Sequence, residues 1–401
     1  MALTYLEIDL TIIKNNIKNL RYLLSPNIKA MAVIKSNAYG HGIVEVAKSA
    51  IEAGCSWLGV VNVKEAMLLR NAGVRSQILV LGYPDFADIQ NAAQFSIAVP
   101  VVSLKQAEQL SKYKLSYPLV VHLKVETGIN RLGLKKNEII KACELLKMNK
   151  QIVIEGLYSH FSSVEEEDIE YSKLQLKRFN EIVKLLEKRK INIRLKHLCA
   201  TAPGIILDEA HFDMVRLGIG IYGLWPSEKI KKRFLKQNAN NSFLQSALTY
   251  KTQIVQIKDV RKGESIGYGC TYKANKNVRI AIIPVGYYEG VDRLLSNPSP
   301  LGKNYKSGEV LIAGQRCPIV GRVCMNMTII DVSEVSRVSK VSVGDEVVII
   351  GEQEIPKRLR SGSQPESVRK ITADEIADKI KTINYEIVTR IPEHIPRIYK
   401  I

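Results

Sequence analysis

Eight short apolar runs recur between residues 28 and 216, each of strand length, and this alternation with helix-sized segments constrains the chain more than any other feature. They are Ile28–Ile34, Trp57–Val61, Ile78–Leu81, Ser96–Val99, Leu119–Val125, Ile152–Tyr158, Arg194–Cys199 and Asp213–Arg216. Between them, Val44–Ala53 and Lys64–Ala72 have helical length and stop at Gly54 and Gly73, the residue type that best ends a helix, while Glu166–Lys190 is a long charged stretch. Upstream, Ile13, Ile17, Leu20 and Leu24 keep helical spacing until Ser25-Pro26 breaks it. Strands that alternate with helices favour an α/β (β/α)8 barrel, whose active site is expected at the C-terminal ends of the strands. On the pattern alone a doubly wound sheet stays possible.

After residue 229 the chain turns polar and basic, and Asn238–Ser242 reads as a linker. Beyond it the period changes: Tyr250–Val260, Val278–Pro284, Val310–Ile312, Met327–Val332 and Val347–Ile350 are short β-rich runs separated by turn residues. At 401 residues the chain exceeds what one hydrophobic core usually serves. The expected division is a barrel over 1–240 and a mostly β domain over 241–401. Thr372 followed by Glu375 marks the start of one late helix, and Arg358–Glu366 reads as a flexible insertion.

Composition narrows the class. With 46% hydrophobic residues and apolar runs no longer than strands, no segment reads as a membrane span. The opening MALTYLEIDL carries an early acidic residue and lacks the basic-then-apolar order of a signal peptide, so a cytoplasmic location is expected. Six cysteines, with no CxxC or Cys/His ligand spacing, read as reduced thiols and imply neither a metal nor a disulfide framework. A net charge of +18 could suit nucleic acid, yet only 6% of residues are aromatic and no recognition module is visible. Solvated basic helix faces explain the charge, and a positive field also favours anionic ligands.

Lys35 is the most informative single residue. It follows the apolar run Ile28–Ile34, where an α/β enzyme keeps its reactive groups. An amine partly withdrawn from water loses its proton more readily than a surface lysine and can attack a carbonyl to form a Schiff base. Position alone does not separate it from a solvated lysine in a chain with 58 Lys plus Arg. Arg131, His160, Thr201 and Arg216 also fall at or just after the ends of strand runs.

The string AVIKSNAYGHG (Ala32–Gly42) resembles the pyridoxal 5'-phosphate attachment motif of alanine racemases. That resemblance implies a cofactor held covalently on Lys35, with Tyr39 reaching its phosphate. SIGYGCTY (Ser265–Tyr272) is similar to the segment that carries the family's catalytic tyrosine, here Tyr268, which would serve the site of the other subunit in a head-to-tail homodimer. His160 in GLYSHF and Arg216 in VRLGIGIYG match residues that lead from that tyrosine to the pyridine nitrogen, and Gly218, Ile219 and Thr201 match phosphate-binding positions. KVETGINRLG (Lys124–Gly133) implies Arg131 as a substrate-carboxylate and phenolate contact, with Lys124 a lysine often carbamylated to hold it. GRVCMNM implies that the partner subunit helps bind the substrate carboxylate through the backbone amide of its Met325, and GYYEG (Gly286–Gly290) with Arg293 and Arg322 would lie on the entry path.

Racemisation needs a proton delivered from either face of a planar centre, so two acid/base groups are required, Lys35 and Tyr268. Three positions depart from the family pattern: Asn326 where Asp is usual, Ala200 where Asn is usual, and Glu393 where a tyrosine is common. The expected function is interconversion of L- and D-alanine, supplying D-alanine for peptidoglycan, with a broader amino acid racemase acting on serine as the alternative. A barrel-type decarboxylase lacks support, because the SIGYGCTY segment stands where that group has a cysteine and acid-rich site. A carrier built on the barrel alone would have no use for the β domain and its tyrosine.

Overall fold

The computed structural model describes residues 2–166, 169–238, 242–302, 306–356 and 368–401, so the 358–366 insertion lies outside the described residues. The chain forms two bodies. One contains Leu10–Ala38 and Gly42–Gln245, and the other contains Met1–Asp9, Tyr39–His41 and Ser246–Ile401.

The first strand, β1 (Tyr5–Asp9), belongs to the second body. The first body is built on β2 (Lys29–Val33), β3 (Trp57–Val60), β4 (Gln77–Val80), β5 (Ile97–Val101), β6 (Leu119–Lys124), β7 (Ile152–Tyr158), β8 (Leu195–His197) and β9 (Met214–Leu217). These eight strands run in the order β8-β7-β6-β5-β4-β3-β2-β9, and every paired neighbour is parallel. β2 pairs with both β3 and β9. Across the remaining gap, Asp213 N donates to Lys196 O at 3.0 Å and Arg216 N to Cys199 O at 3.1 Å, which brings β9 back to β8. The arrangement is the barrel and excludes the doubly wound alternative.

Both faces of a parallel strand in such a sheet are covered, so continuous apolar runs are required. β3, β5 and β9 are buried along their whole length. Met31, Trp57, Leu79, Ala98, Leu195 and Met214, from six different strands, form one buried cluster in the sheet. Helix Leu10–Tyr22 buries Leu10, Ile13, Ile17 and Leu20 at the spacing of one helix face. Its one buried polar residue, Asn16, donates through Nδ2 to Ile221 O at 3.2 Å and Gln245 O at 2.8 Å, while its Oδ1 accepts from Gln245 N at 3.0 Å.

The second body continues with β10 (Leu248–Gln253), β11 (Gln256–Val260), β12 (Ser265–Ile266), β13 (Tyr272–Lys273), β14 (Val278–Ile283), β15 (Glu309–Ile312), β16 (Gln315–Pro318), β17 (Thr328–Asp331), β18 (Glu346–Glu354), β19 (Val368–Ile371) and β20 (Arg397–Lys400). Its main sheet runs β16-β15-β18-β10-β1-β20, with β19 added on β18, and a second sheet runs β11-β14-β17. β1 is antiparallel to β10 and parallel to β20. It alternates buried Leu6 and Ile8 with outward Tyr5, Glu7 and Asp9, a period-two signal too short to stand out in the sequence. Thr372 caps helix Ala373–Ile380 by accepting from Glu375 N at 3.0 Å. Among the described residues no helix is long and apolar enough to cross a membrane.

Asn16→Ala removes the partner of the buried Ile221 carbonyl and of the part-buried Gln245 amide and carbonyl. The expected loss is about 1–3 kcal/mol of stability, the cost of leaving a buried polar group unsatisfied. Urea unfolding of the cofactor-free protein measures it, and an unchanged midpoint would show that water replaces the side chain.

Candidate active site

Strand β2 ends at Val33, and the chain then enters an unusual turn at Lys35–Tyr39. Ser36, Asn37, Ala38 and Tyr39 all have φ between 52° and 55°, so four consecutive non-glycine residues are left-handed. Each costs roughly 1–2 kcal/mol relative to its right-handed form, so the turn exists only because its surroundings over-determine it. Ala38 N donates to Ile34 O at 2.8 Å and Asn37 N to Glu65 Oε1 at 3.2 Å. Asn37 Oδ1 in turn accepts from Ile43 N at 2.9 Å, opening helix Ile43–Glu52.

The turn sets Lys35 half-buried at the strand end. Burial, then the nearby Arg131 charge, lower the Lys35 amine below its ordinary value, with Glu65 opposing weakly. Glu65 binds the Asn37 and Val61 backbone amides, the latter at 2.8 Å, rather than pairing with the lysine. Lys124, at the end of β6, is buried over the Tyr158 ring at 5.6 Å. Burial and the charges of Arg131, Arg216 and Lys35 bring its amine down to about 8. Four cations therefore share one end of the barrel, an arrangement that calls for an anion.

Arg216, in β9, is 3% exposed. Its Nη1 reaches His197 Nδ1 at 2.8 Å and His197 O at 3.1 Å, and its Nη2 reaches Ser159 O at 2.8 Å, Leu198 O at 2.9 Å and His160 Nδ1 at 3.1 Å. All five bonds use the two terminal nitrogens, and none uses Nε. Burial lowers the guanidinium to about 10, so it stays charged at neutral pH. A guanidinium can only donate, so Nδ1 of His160 and of His197 must accept and each ring carries its proton on Nε2. Burial and Arg216 also press both imidazoles towards the neutral form.

Thr201 opens the short helix Thr201–Ile206, with Ala200 just before it, and its Oγ1 accepts from Gly218 N at 2.8 Å. Gly218 leads into the turn Ile219–Tyr222, which Tyr222 fastens to the end of β2 by donating to Val33 O at 3.0 Å. A side chain at Gly220 would put its Cβ 2.7 Å from Thr201 Cγ2, so this close approach requires glycine.

Lys35, Lys124, Arg131, His160, Thr201, Arg216, Gly218 and Ile219 thus lie in the first body. Tyr39, Tyr268 and Met325 belong to the second. Tyr39 is buried, its hydroxyl pushed up to about 12, with its ring 6.2 Å from that of Tyr385. Tyr268 sits between β12 and β13 and is 70% exposed; Met325 is 54% exposed. Asn326 Nδ2 donates to Glu289 Oε1 at 2.6 Å, and the same carboxylate accepts from Gly286 N at 2.8 Å. Tyr288 N donates to Met325 O at 3.0 Å, so the GYYEG and GRVCMNM loops are joined. The Glu393 carbonyl accepts from Arg397 Nη1 at 2.9 Å. Sequence reasoning missed His197, Tyr158, Glu65 and Asn37. Each lies on or beside a strand end, which was the one signal available.

Comparison with known proteins is unambiguous. Residues 8–226 match the family described as alanine racemase, N-terminal domain, and residues 247–399 match alanine racemase, C-terminal domain. Alanine racemase 2 of Caldanaerobacter subterraneus subsp. tengcongensis is 38% identical over 99% of this chain and 94% of its own. The alanine racemase of Methanococcus maripaludis is 37% identical over 98% of this chain and 97% of its own. The crystal structure of alanine racemase from Bacillus anthracis with bound L-Ala-P superposes with a TM-score of 0.86 at 32% identity, covering 100% of this chain and 96% of that one. A histidine racemase from Leuconostoc mesenteroides subsp. sake shares the fold at a TM-score of 0.81 and 26% identity, covering 100% and 98%.

Lys124 generates a pH prediction. Its amine is at about 8 in the fold against 10.5 ordinarily, so between these values the unfolded chain binds more protons and stability rises with pH. The contribution is complete above 10.5 and lost as pH falls through about 8. Lys124→Met removes this rise. In carbon-dioxide-free buffer, the stability of the wild type minus that of the variant should grow from pH 8 to pH 10.5 in denaturant titrations; a flat difference would place Lys124 in contact with water.

Proposed function

The chain belongs to the alanine racemase family and is an isomerase, and from that membership we propose that it interconverts L- and D-alanine with pyridoxal 5'-phosphate held covalently on Lys35. One observation carries the reading: Arg216 spends its two terminal nitrogens on protein acceptors and none of these bonds uses Nε, at the barrel end that also holds Lys35. The residues fit the cofactor. Nε–H would donate to the pyridine nitrogen, Arg131 would meet the phenolate, and Thr201 with the Gly218–Ile219 turn and Tyr39 would hold the phosphate. When bound, the cofactor supplies the electron sink that acidifies the amino acid Cα–H.

The chain's own groups do the rest. A permanent cation beside the pyridine nitrogen leaves no proton for it to take up, which limits the sink and favours reprotonation at Cα over side reactions. Lys35 Nζ exchanges the proton on one face, helped by the burial and the Arg131 charge that favour its neutral form. Tyr268 Oη serves the other face in the second subunit of a homodimer. In support, Tyr268, Tyr287, Tyr288, Met325 and Met327 are large and exposed, a composition suited to an interface. His160 carries its proton on Nε2 because Arg216 occupies Nδ1, and that N–H would donate to the tyrosine oxygen and ease its deprotonation. The substrate carboxylate would meet Arg131 and, across the homodimer, the backbone amide contributed by Met325 of the partner subunit. Lys124, with a neutral fraction near pH 8, adds carbon dioxide with loss of a proton, and the carbamate pairs with Arg131. A cytoplasmic supply of D-alanine for peptidoglycan is the role that follows.

Alanine racemisation assayed with the cofactor added and removed tests the reading. Activity that ignores the cofactor, or a serine rate at or above the alanine rate, would overturn it. Lys35→Ala should lose the absorbance of covalently held cofactor, and retention of that band would remove Lys35 from its role. Tyr268→Phe should keep the cofactor while lowering the rate about 10²–10⁴-fold, with proton exchange lost from one enantiomer. Mixing the two inactive variants should restore part of the activity through heterodimers; no recovery in verified heterodimers contradicts a shared site.

A further inference from the structure

Behind Arg216 lies a line of polar side chains that the reaction as described does not use. His197 Nε2 is 3.0 Å from His122 Nδ1, and His122 Nε2 is 3.5 Å from Glu155 Oε2. Glu155 pairs at its other oxygen with the exposed Arg194. His197 and His122 are both 0% exposed and sit among the apolar side chains of the strands. The Tyr158 ring stacks on His197 at 4.8 Å, and Trp57 meets His122 edge-on at 5.3 Å.

The donor rules give this line one direction. Arg216 can only donate, so His197 Nδ1 accepts and its proton is on Nε2. That proton then requires His122 Nδ1 as acceptor, which puts the His122 proton on Nε2, facing the Glu155 carboxylate. Every member is satisfied in this sense, and the opposite sense would set two protons against each other at Arg216.

The fold makes local room for the line. The β6–β7 register shifts between Val121 and His122, and Gly156 lies opposite. Any Cβ at Gly156 would be 2.2 Å from His122 Nδ1. Two buried imidazoles could be replaced by apolar side chains at lower desolvation cost if only packing were at stake. We propose that His197, His122 and Glu155 are positioning residues of the racemase reaction, an acceptor line anchored on a carboxylate that pins the Arg216 guanidinium so that its Nε–H faces the cofactor site. This inference rests on the racemase reading.

Neutron diffraction from the deuterated, cofactor-loaded wild-type enzyme tests the line without reference to activity. Deuterons are expected on Nε2 of both His197 and His122, and a deuteron on His197 Nδ1 would overturn the proposal. In kinetics, His122→Phe should lower kcat about tenfold with KM for alanine within about twofold. It should also raise, by a similar factor, the fraction of turnovers that end as pyruvate and pyridoxamine phosphate. Should that variant fail to fold, Glu155→Leu serves in its place, and Glu155→Gln, which keeps an acceptor oxygen, should recover most of its loss. Wild-type kcat and product partition in a folded His122→Phe or Glu155→Leu enzyme sink the idea. A wild type that carries the deuterons as expected yet does not racemise alanine would refute the functional reading and leave the proton arrangement standing.

Discussion

A guanidinium in a barrel interior must find an acceptor for its N–H groups, because desolvating a charge without compensation costs several kcal/mol. Arg216 meets that demand with three backbone carbonyls and two imidazole nitrogens. The carbonyls of Ser159, His197 and Leu198 come from the ends of β7 and β8, so one side chain of β9 ties together strands on the side where the ladder is incomplete. Because the cation never accepts, it also sets the tautomers of His160 and His197, and through His197 that of His122. The same five bonds therefore hold the local backbone and decide where protons reside.

Two further constraints act at the same end of the barrel. The left-handed run at Ser36–Tyr39 is conformationally costly, and its retention is secured by Asn37 and Glu65, which bind backbone amides on either side. The gathering of Lys35, Lys124, Arg131 and Arg216 is electrostatically costly, and it adds to burial, the larger cause, in lowering the amines of both lysines. Strain and repulsion stored together are what an enzyme holds where a ligand is to relieve them. A phosphate and a carboxylate would supply the missing negative charge, which is why the positive cluster and the proposed cofactor and substrate belong to one account.

Much of the fold was legible because burial leaves a periodic trace. The eight apolar runs coincide with β2 to β9 within a few residues, and Thr372 with Glu375 marked a real helix cap. The strand ends also pointed to where Lys35, Arg131, His160, Thr201 and Arg216 would be found. What escaped was non-local. The alternation in β1 is five residues long and acquires meaning only through β10 and β20, some 240 and 390 residues away. Nothing in Ser-Asn-Ala-Tyr signals four left-handed residues, since the first glycine comes only at Gly40. His122 and His197 are 75 positions apart, and each alone reads as an ordinary core histidine.

The sequence by itself determined the alternating architecture, the change to β structure in the second half, and the family, because hydrophobic period and contiguous motifs are properties of short stretches of chain. Tertiary structure alone decided which nitrogens of His122, His160 and His197 hold protons, that burial brings the Lys124 amine down to about 8, and why a Cβ at Gly156 or Gly220 would crowd His122 or Thr201. Those outcomes depend on distances of about 3 Å between groups from different strands, and such distances are set by register, bulges and burial that no single segment encodes.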